Sequence, residues 1–140
     1  MSKTDVAIVT EQRDGKFMPL PLKAGAGVLQ GTFAVIDQAG FAIDSQSIGG
    51  ANQTCLGIWD NSAQNTGADG DVLALVQRKK QFLMSNSSTD ALTQADLGIQ
   101  VFIEDNQTVA KSDGNGTRSL AGKFMGFDSQ FTNYVWVEIE

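Results

Sequence analysis

The residues that could do chemistry are few. Asp113, Asn115 and Thr117 stand at alternate positions, the spacing of the first three ligands of a calcium loop. Arg118 then takes the position that needs glycine and Phe124 the position that needs a bidentate glutamate, so the pattern reads as a hairpin turn. Asp60, Asp69 and Asp71 are acidic neighbours in a polar stretch; paired carboxylates serve glycoside hydrolysis, but only Trp59 lies beside them as a sugar platform. The chain has no histidine and one cysteine, Cys55. Ser-His-Asp and Cys-His nucleophiles, imidazole acid–base catalysis and a structural zinc site are therefore excluded. No enzyme activity, cofactor or metal is expected, and Cys55 reads as a small core residue.

Charge narrows the partners. Lysine and arginine number 10 against 16 acidic residues, a net charge of −6. Nucleic-acid binding draws its affinity from clustered cations on phosphates, and the one basic cluster is Arg78-Lys79-Lys80. That triplet reads either as a solvated strand end or as a salt-sensitive contact with a partner protein; no nucleic-acid partner is expected. No apolar run approaches the ~20 residues of a membrane helix. The first residues, Met1-Ser2-Lys3-Thr4-Asp5, lack the apolar core of a signal peptide, so synthesis in a cytoplasm is the expectation.

The elements that must position these groups are strands. Short apolar runs of period two recur between turn residues: Val6–Val9, Leu29 to Val35, Leu56 to Trp59, Val72–Val76, Phe82–Met84, Ile99 to Ile103, Phe124–Phe127 and Val135–Ile139. Val72–Val76 is apolar on both faces and reads as a central strand. Phe17–Leu22 holds Pro19 and Pro21 and reads as an extended arm or sheet edge. Thr93-Gln94-Ala95-Asp96 has capping-box spacing, which predicts a single helical turn. The expected fold is all-β: one small barrel or sandwich-like domain over 28–140, an extended N-terminal arm over 1–27, and at most one short helical turn.

In the last strand, Tyr134, Trp136, Glu138 and Glu140 share one face and Val135, Val137 and Ile139 the other. If the valine face is core, Tyr134 and Trp136 point outward, where aromatic residues favour an interface. The alternative is a closed domain that buries both faces.

From about residue 28 onward the chain resembles a known family. The resemblance rests on Gly31, Asp37, Ala39-Gly40-Phe41, Leu56-Gly57-Ile58, Gly70-Asp71, Arg78, Phe82 and Asn86. It continues through Leu92-Thr93, Ala95-Asp96-Leu97-Gly98, Val101, Glu104 to Ala110, Arg118 to Lys123, Asp128 and Val135 to Ile139. In order and spacing these are similar to head-decoration, or capsid-cement, structural proteins of tailed bacteriophages. The final turn, Gln130 to Asn133, is longer than the family's, and residues 1–27 have no counterpart. The resemblance implies a homo-oligomer, trimer or dimer, that binds the major capsid protein on the outer surface of the phage head. Tyr134, Trp136, Arg78, Lys79 and Lys80 are the contact residues expected for it. The alternative is a head-fibre or tail component, or a carbohydrate-binding module for the host surface.

Overall fold

A computed structural model describes residues 3–140. Eleven strands form: β1 (Phe17–Pro21), β2 (Gly27–Val28), β3 (Phe33–Ile36), β4 (Thr54–Trp59), β5 (Ala63–Gln64), β6 (Leu73–Gln77), β7 (Lys80–Asn86), β8 (Gln100–Asp105), β9 (Thr108–Ala110), β10 (Leu120–Phe127) and β11 (Tyr134–Ile139). Among the described residues, helix is confined to two 3-10 turns, Ser45–Ser47 and Gln94–Asp96. The second is the expected capping box, with the Asp96 carboxylate accepting from the Thr93 backbone N–H at 2.7 Å.

The strands make a closed barrel, β10-β11-β7-β9-β8, beside a four-stranded sheet, β1-β6-β4-β3, and a small β2-β5 pair. All ladders are antiparallel except β7 with β9. The β3–β4 side of the sheet lies between two cores, which explains why those strands are apolar on both faces, whereas on β6 Leu73 is 58% exposed. Phe33, Val35 and Ile58 join Val101, Ile103, Phe124, Val135 and Val137 in the barrel core. Ala34, Trp59, Ala74 and Val76 pack on Leu20, Leu22 and Val28 in the other. Alternation therefore sends one face of β3 and β4 into each core.

Three sequence expectations change. Leu29 to Val35 is not one half-buried strand: the strand is Phe33–Ile36, with Ala34 buried as fully as Phe33 and Val35, and Leu29 before it is exposed. Val6–Val9 forms no strand: Val6, Ile8 and Val9 are 69%, 67% and 92% exposed, because no partner strand lies beside them. The arm is also shorter than 1–27, whose residues 1–2 lie outside the described residues. Phe17–Pro21 pairs with β6, and Leu20, Leu22, Ala26 and Val28 are buried. The exposed arm ends near Lys16.

The prolines did mark an edge, and their spacing matters. The Leu22 N–H donates to the Val72 carbonyl and the Lys16 carbonyl accepts from the Arg78 N–H, so even-numbered residues face β6. Pro19 and Pro21 therefore direct their missing N–H groups at the free side, where the Pro21 carbonyl accepts from Ala42 at 2.9 Å. Brief trypsin treatment of the dilute protein should cut after Arg13 and Lys16 and spare Lys23, whose N–H donates to the Ala42 carbonyl. Early cleavage at Lys23, read by mass spectrometry, would place the boundary where the sequence reading had it.

Candidate interface

β11 sets the geometry. Val135, Val137 and Ile139 are buried in the barrel core, so the other face of the strand is the outer wall. Tyr134 is 38% exposed and Trp136 is half-buried, its register partner on β7 being Leu83. The alternation thus resolves to the valine face inward.

The sequence reading missed part of the surface around Tyr134. Phe131, in the turn joining β10 to β11, is 56% exposed and meets Tyr134 edge to face, ring centroids 6.3 Å apart. Phe127, exposed at the end of β10, sits beside Val135 in the ladder and edges the buried Phe124 at 5.3 Å. Phe127 lies three residues beyond the buried Phe124, so alternation turns it outward, and a register irregularity between the two sets it opposite Val135. Exposed Leu97 approaches Gly126 from the neighbouring segment. The result is an apolar, aromatic surface at one end of the barrel.

Asp128 holds that turn. Its carboxylate accepts from the N–H groups of Phe131, at 2.8 Å, and Gln130, at 2.9 Å. Those two bonds, with a contribution from the Trp136 indole, hold the carboxyl below its ordinary value of 3.8. A lowered folded value means that the carboxylate's stabilisation is complete above the ordinary value and is lost as pH falls through the folded one. Acidification below 3.8 should therefore loosen the Phe131–Tyr134 turn. Tyrosine and tryptophan fluorescence followed against pH checks this; Asp128→Asn should abolish the acid transition, and a turn signal unchanged by that substitution would contradict it.

The basic triplet lies elsewhere. Tyr134 pairs with Ser85 but Ile139 with Lys80, five residues along, which is about 17 Å at strand spacing. Arg78 and Lys79 form the crossover from β6 to β7, between sheet and barrel. Arg78 is half-buried with its guanidinium at Met18, 3.5 Å from Sδ. The Lys79 N–H donates to the Ile139 carbonyl, and the Lys80 ammonium lies 5.2 Å from the Phe17 ring. The five expected contact residues therefore do not form one patch. The crossover places Arg78 in a packing role, while Lys79 and Lys80 remain exposed.

The other acidic candidates have partners within the fold. Asp69 accepts from the Ala24 N–H and Asp71 from the Ala68 N–H, both at 2.9 Å or less, and Asp60 bonds Gln77. The Asp113 carbonyl accepts from the Arg118 N–H, and the Thr117 hydroxyl donates to the Gly114 carbonyl, which closes the turn. Trp59 is 1% exposed and offers no sugar platform. Cys55 sits in apolar surroundings that push its thiol up to about 12.

The residues that carry the resemblance have structural tasks. Asn86 bonds the Leu92 backbone through both its amide nitrogen and its carbonyl oxygen. Arg118 reaches Asp90 at 2.9 Å and Glu104 at 3.5 Å. Ser119 donates to the Gly50 carbonyl and accepts from the Gln53 N–H, tying β10 to the loop before β4. A side chain at Gly122 would stand 2.3 Å from the Glu138 carbonyl oxygen, so β10 and β11 approach only with glycine there. Among the described residues, no helix is long and apolar enough to cross a membrane. No family model, curated protein or solved structure matches the chain.

Proposed function

We propose that the protein is a virion structural protein of a tailed bacteriophage, which decorates and cements the head by binding the major capsid protein. The observation that carries this reading is the aromatic end of the barrel. Phe127, Phe131 and Tyr134 are exposed on and beside the turn that Asp128 holds, while the opposite face of β11 is buried core. Large, rigid aromatic groups dominate interface energies because they bury much area at little entropic cost. The resemblance supplies the partner, and the residues it rests on, from Asn86 to Gly122, build the barrel that presents this surface.

In this reading the chain works by binding alone, with no reaction, cofactor or metal of its own. A partner that binds only the assembled shell stabilises it by mass action, more strongly as its free concentration exceeds the dissociation constant. The test is co-sedimentation of purified protein with capsids lacking it, followed by negative-stain imaging. Added density on the outer face of the shell is expected. Protein that stays in the supernatant at saturating concentration overturns the proposal.

A further inference from the structure

We infer that Asn115 is a site of spontaneous covalent modification, losing its side-chain amide to attack by the backbone nitrogen of Gly116, whatever partner the protein binds.

The sequence holds seven asparagines, and Asn115 alone is followed by glycine. The turn between β9 and β10 imposes that pair. Asn115 has a φ of 60° and Gly116 a φ of 83°, in the left-handed region that asparagine tolerates and glycine adopts freely. The same pair offers the least hindered ring closure, because glycine has no Cβ beside its nitrogen.

Folding then separates Asn115 from the other six. Attack needs a carboxamide free to swing towards the next nitrogen, and a nitrogen with no competing bond. Three carboxamides are held. Asn65 donates to the Leu22, Lys23 and Ala68 carbonyls, Asn86 grips Leu92, and the Asn61 oxygen accepts from the Leu75 N–H at 2.9 Å. After Asn52, Asn106 and Asn133 it is the next N–H that is engaged. Gln53 donates to the Ser119 hydroxyl and Gln107 to the Asp105 carboxylate, both at 3.0 Å, and Tyr134 donates to the Phe131 carbonyl. The bonds that close the 113–118 turn instead pass to either side of the pair, from the Arg118 N–H to the Asp113 carbonyl and from the Thr117 hydroxyl to the Gly114 carbonyl. Among the described residues, neither the Asn115 carboxamide nor the Gly116 N–H has a hydrogen-bond partner. Both residues are exposed, and a Cβ on Gly116 would meet only open space.

The chemistry needs only water. The Gly116 nitrogen gives its proton to hydroxide or water and bonds to Cγ of Asn115, closing a succinimide ring. The carboxamide C–N bond breaks and ammonia leaves. Water then adds to one of the two ring carbonyls and breaks that carbon's bond to the ring nitrogen. Opening at Cγ leaves aspartate. Opening at the backbone carbonyl leaves isoaspartate, whose chain runs through the side chain and is longer by a methylene. Nothing is oxidised or reduced. Either product adds one carboxylate, which takes the formal net charge from −6 to −7. The change falls in the turn that brings Arg118 to Asp90, 2.9 Å away in the loop after β7.

Folded full-length protein held at mildly alkaline pH and sampled over time tests this. Brief tryptic digestion after Lys111 and Arg118 frees residues 112–118, which hold no other asparagine. Mass spectrometry should show that peptide passing from amide to acid, part of it isoaspartyl, roughly tenfold or more faster than any peptide carrying another asparagine. The same chain unfolded in guanidinium is the reference. Asn61 and Asn86, each followed by serine, should convert roughly tenfold faster unfolded than folded, because in the fold they react only from a locally opened state. Asn115 should convert at about the same rate in both. Asn115→Gln, which would have to close a larger ring, should remove the acidic species that accumulates on isoelectric focusing. Folding that slows Asn115 as much as Asn86, another asparagine that converts first in the folded chain, or an acidic species that persists in Asn115→Gln would each overturn the inference.

Discussion

Replacing Trp59 by alanine is expected to lower the melting temperature by on the order of 10–20 °C. The side chain is the largest fully buried one, enclosed by Leu22, Val28, Ala74 and Val76 beside the four-stranded sheet. Removing a buried indole typically costs roughly 3–5 kcal/mol, from lost transfer free energy and the cavity left behind. For a chain of this size each kcal/mol shifts the melting point by about 3–5 °C. Trp59→Phe should be far milder. The indole N–H is buried without a hydrogen-bond partner, and a buried unpaired donor costs about 1–3 kcal/mol. Phenylalanine removes that donor while filling most of the space. Thermal unfolding of the two variants side by side checks the argument; a Trp59→Phe variant as unstable as the alanine one would show that the N–H has a partner.

The second large effect falls on binding. Phe131→Ala with Tyr134→Ala should weaken capsid co-sedimentation by thirtyfold or more, since truncating a central anchor costs ~2 kcal/mol or more. Both rings are exposed, so surface-scale changes of about 0.5 kcal/mol are expected in folding stability. Lys79→Ala with Lys80→Ala, some 17 Å away at the far end of β11, should change affinity little. The opposite ranking would move the contact surface to the crossover. Equal losses from both pairs would spread it over the whole length of the strand.

The fold was legible wherever a strand's two faces differ in surroundings. Val135, Val137 and Ile139 against Tyr134 and Glu138 is a period-two pattern that has only one stable arrangement on a barrel wall. Val72–Val76, apolar on both faces, does lie in the middle of its sheet, between β1 and β4. Thr93 and Asp96 gave the helical turn because a capping box is local chemistry. Val6–Val9 misled for the converse reason. Its residues favour a strand, but a strand is a pairing, and partners are not encoded in four adjacent residues.

The candidate surface was half legible. Tyr134 and the outer face of β11 follow from alternation, as does Phe127, three residues from the buried Phe124, whereas Phe131 depends on the fold of a turn. Arg78 looked like part of a surface charge cluster because the sequence does not reveal that its neighbour Met18 comes from the proline-bearing strand.

That strand carries a last consequence. Its free side lacks the two donors that an incoming backbone would need, at Pro19 and Pro21. An open strand there would let chains add one to another without limit, as fibrils grow. With the prolines in place that edge cannot donate to an incoming strand at Pro19 or Pro21, and the Pro21 carbonyl is already taken by the Ala42 N–H, so the sheet stops growing at β1.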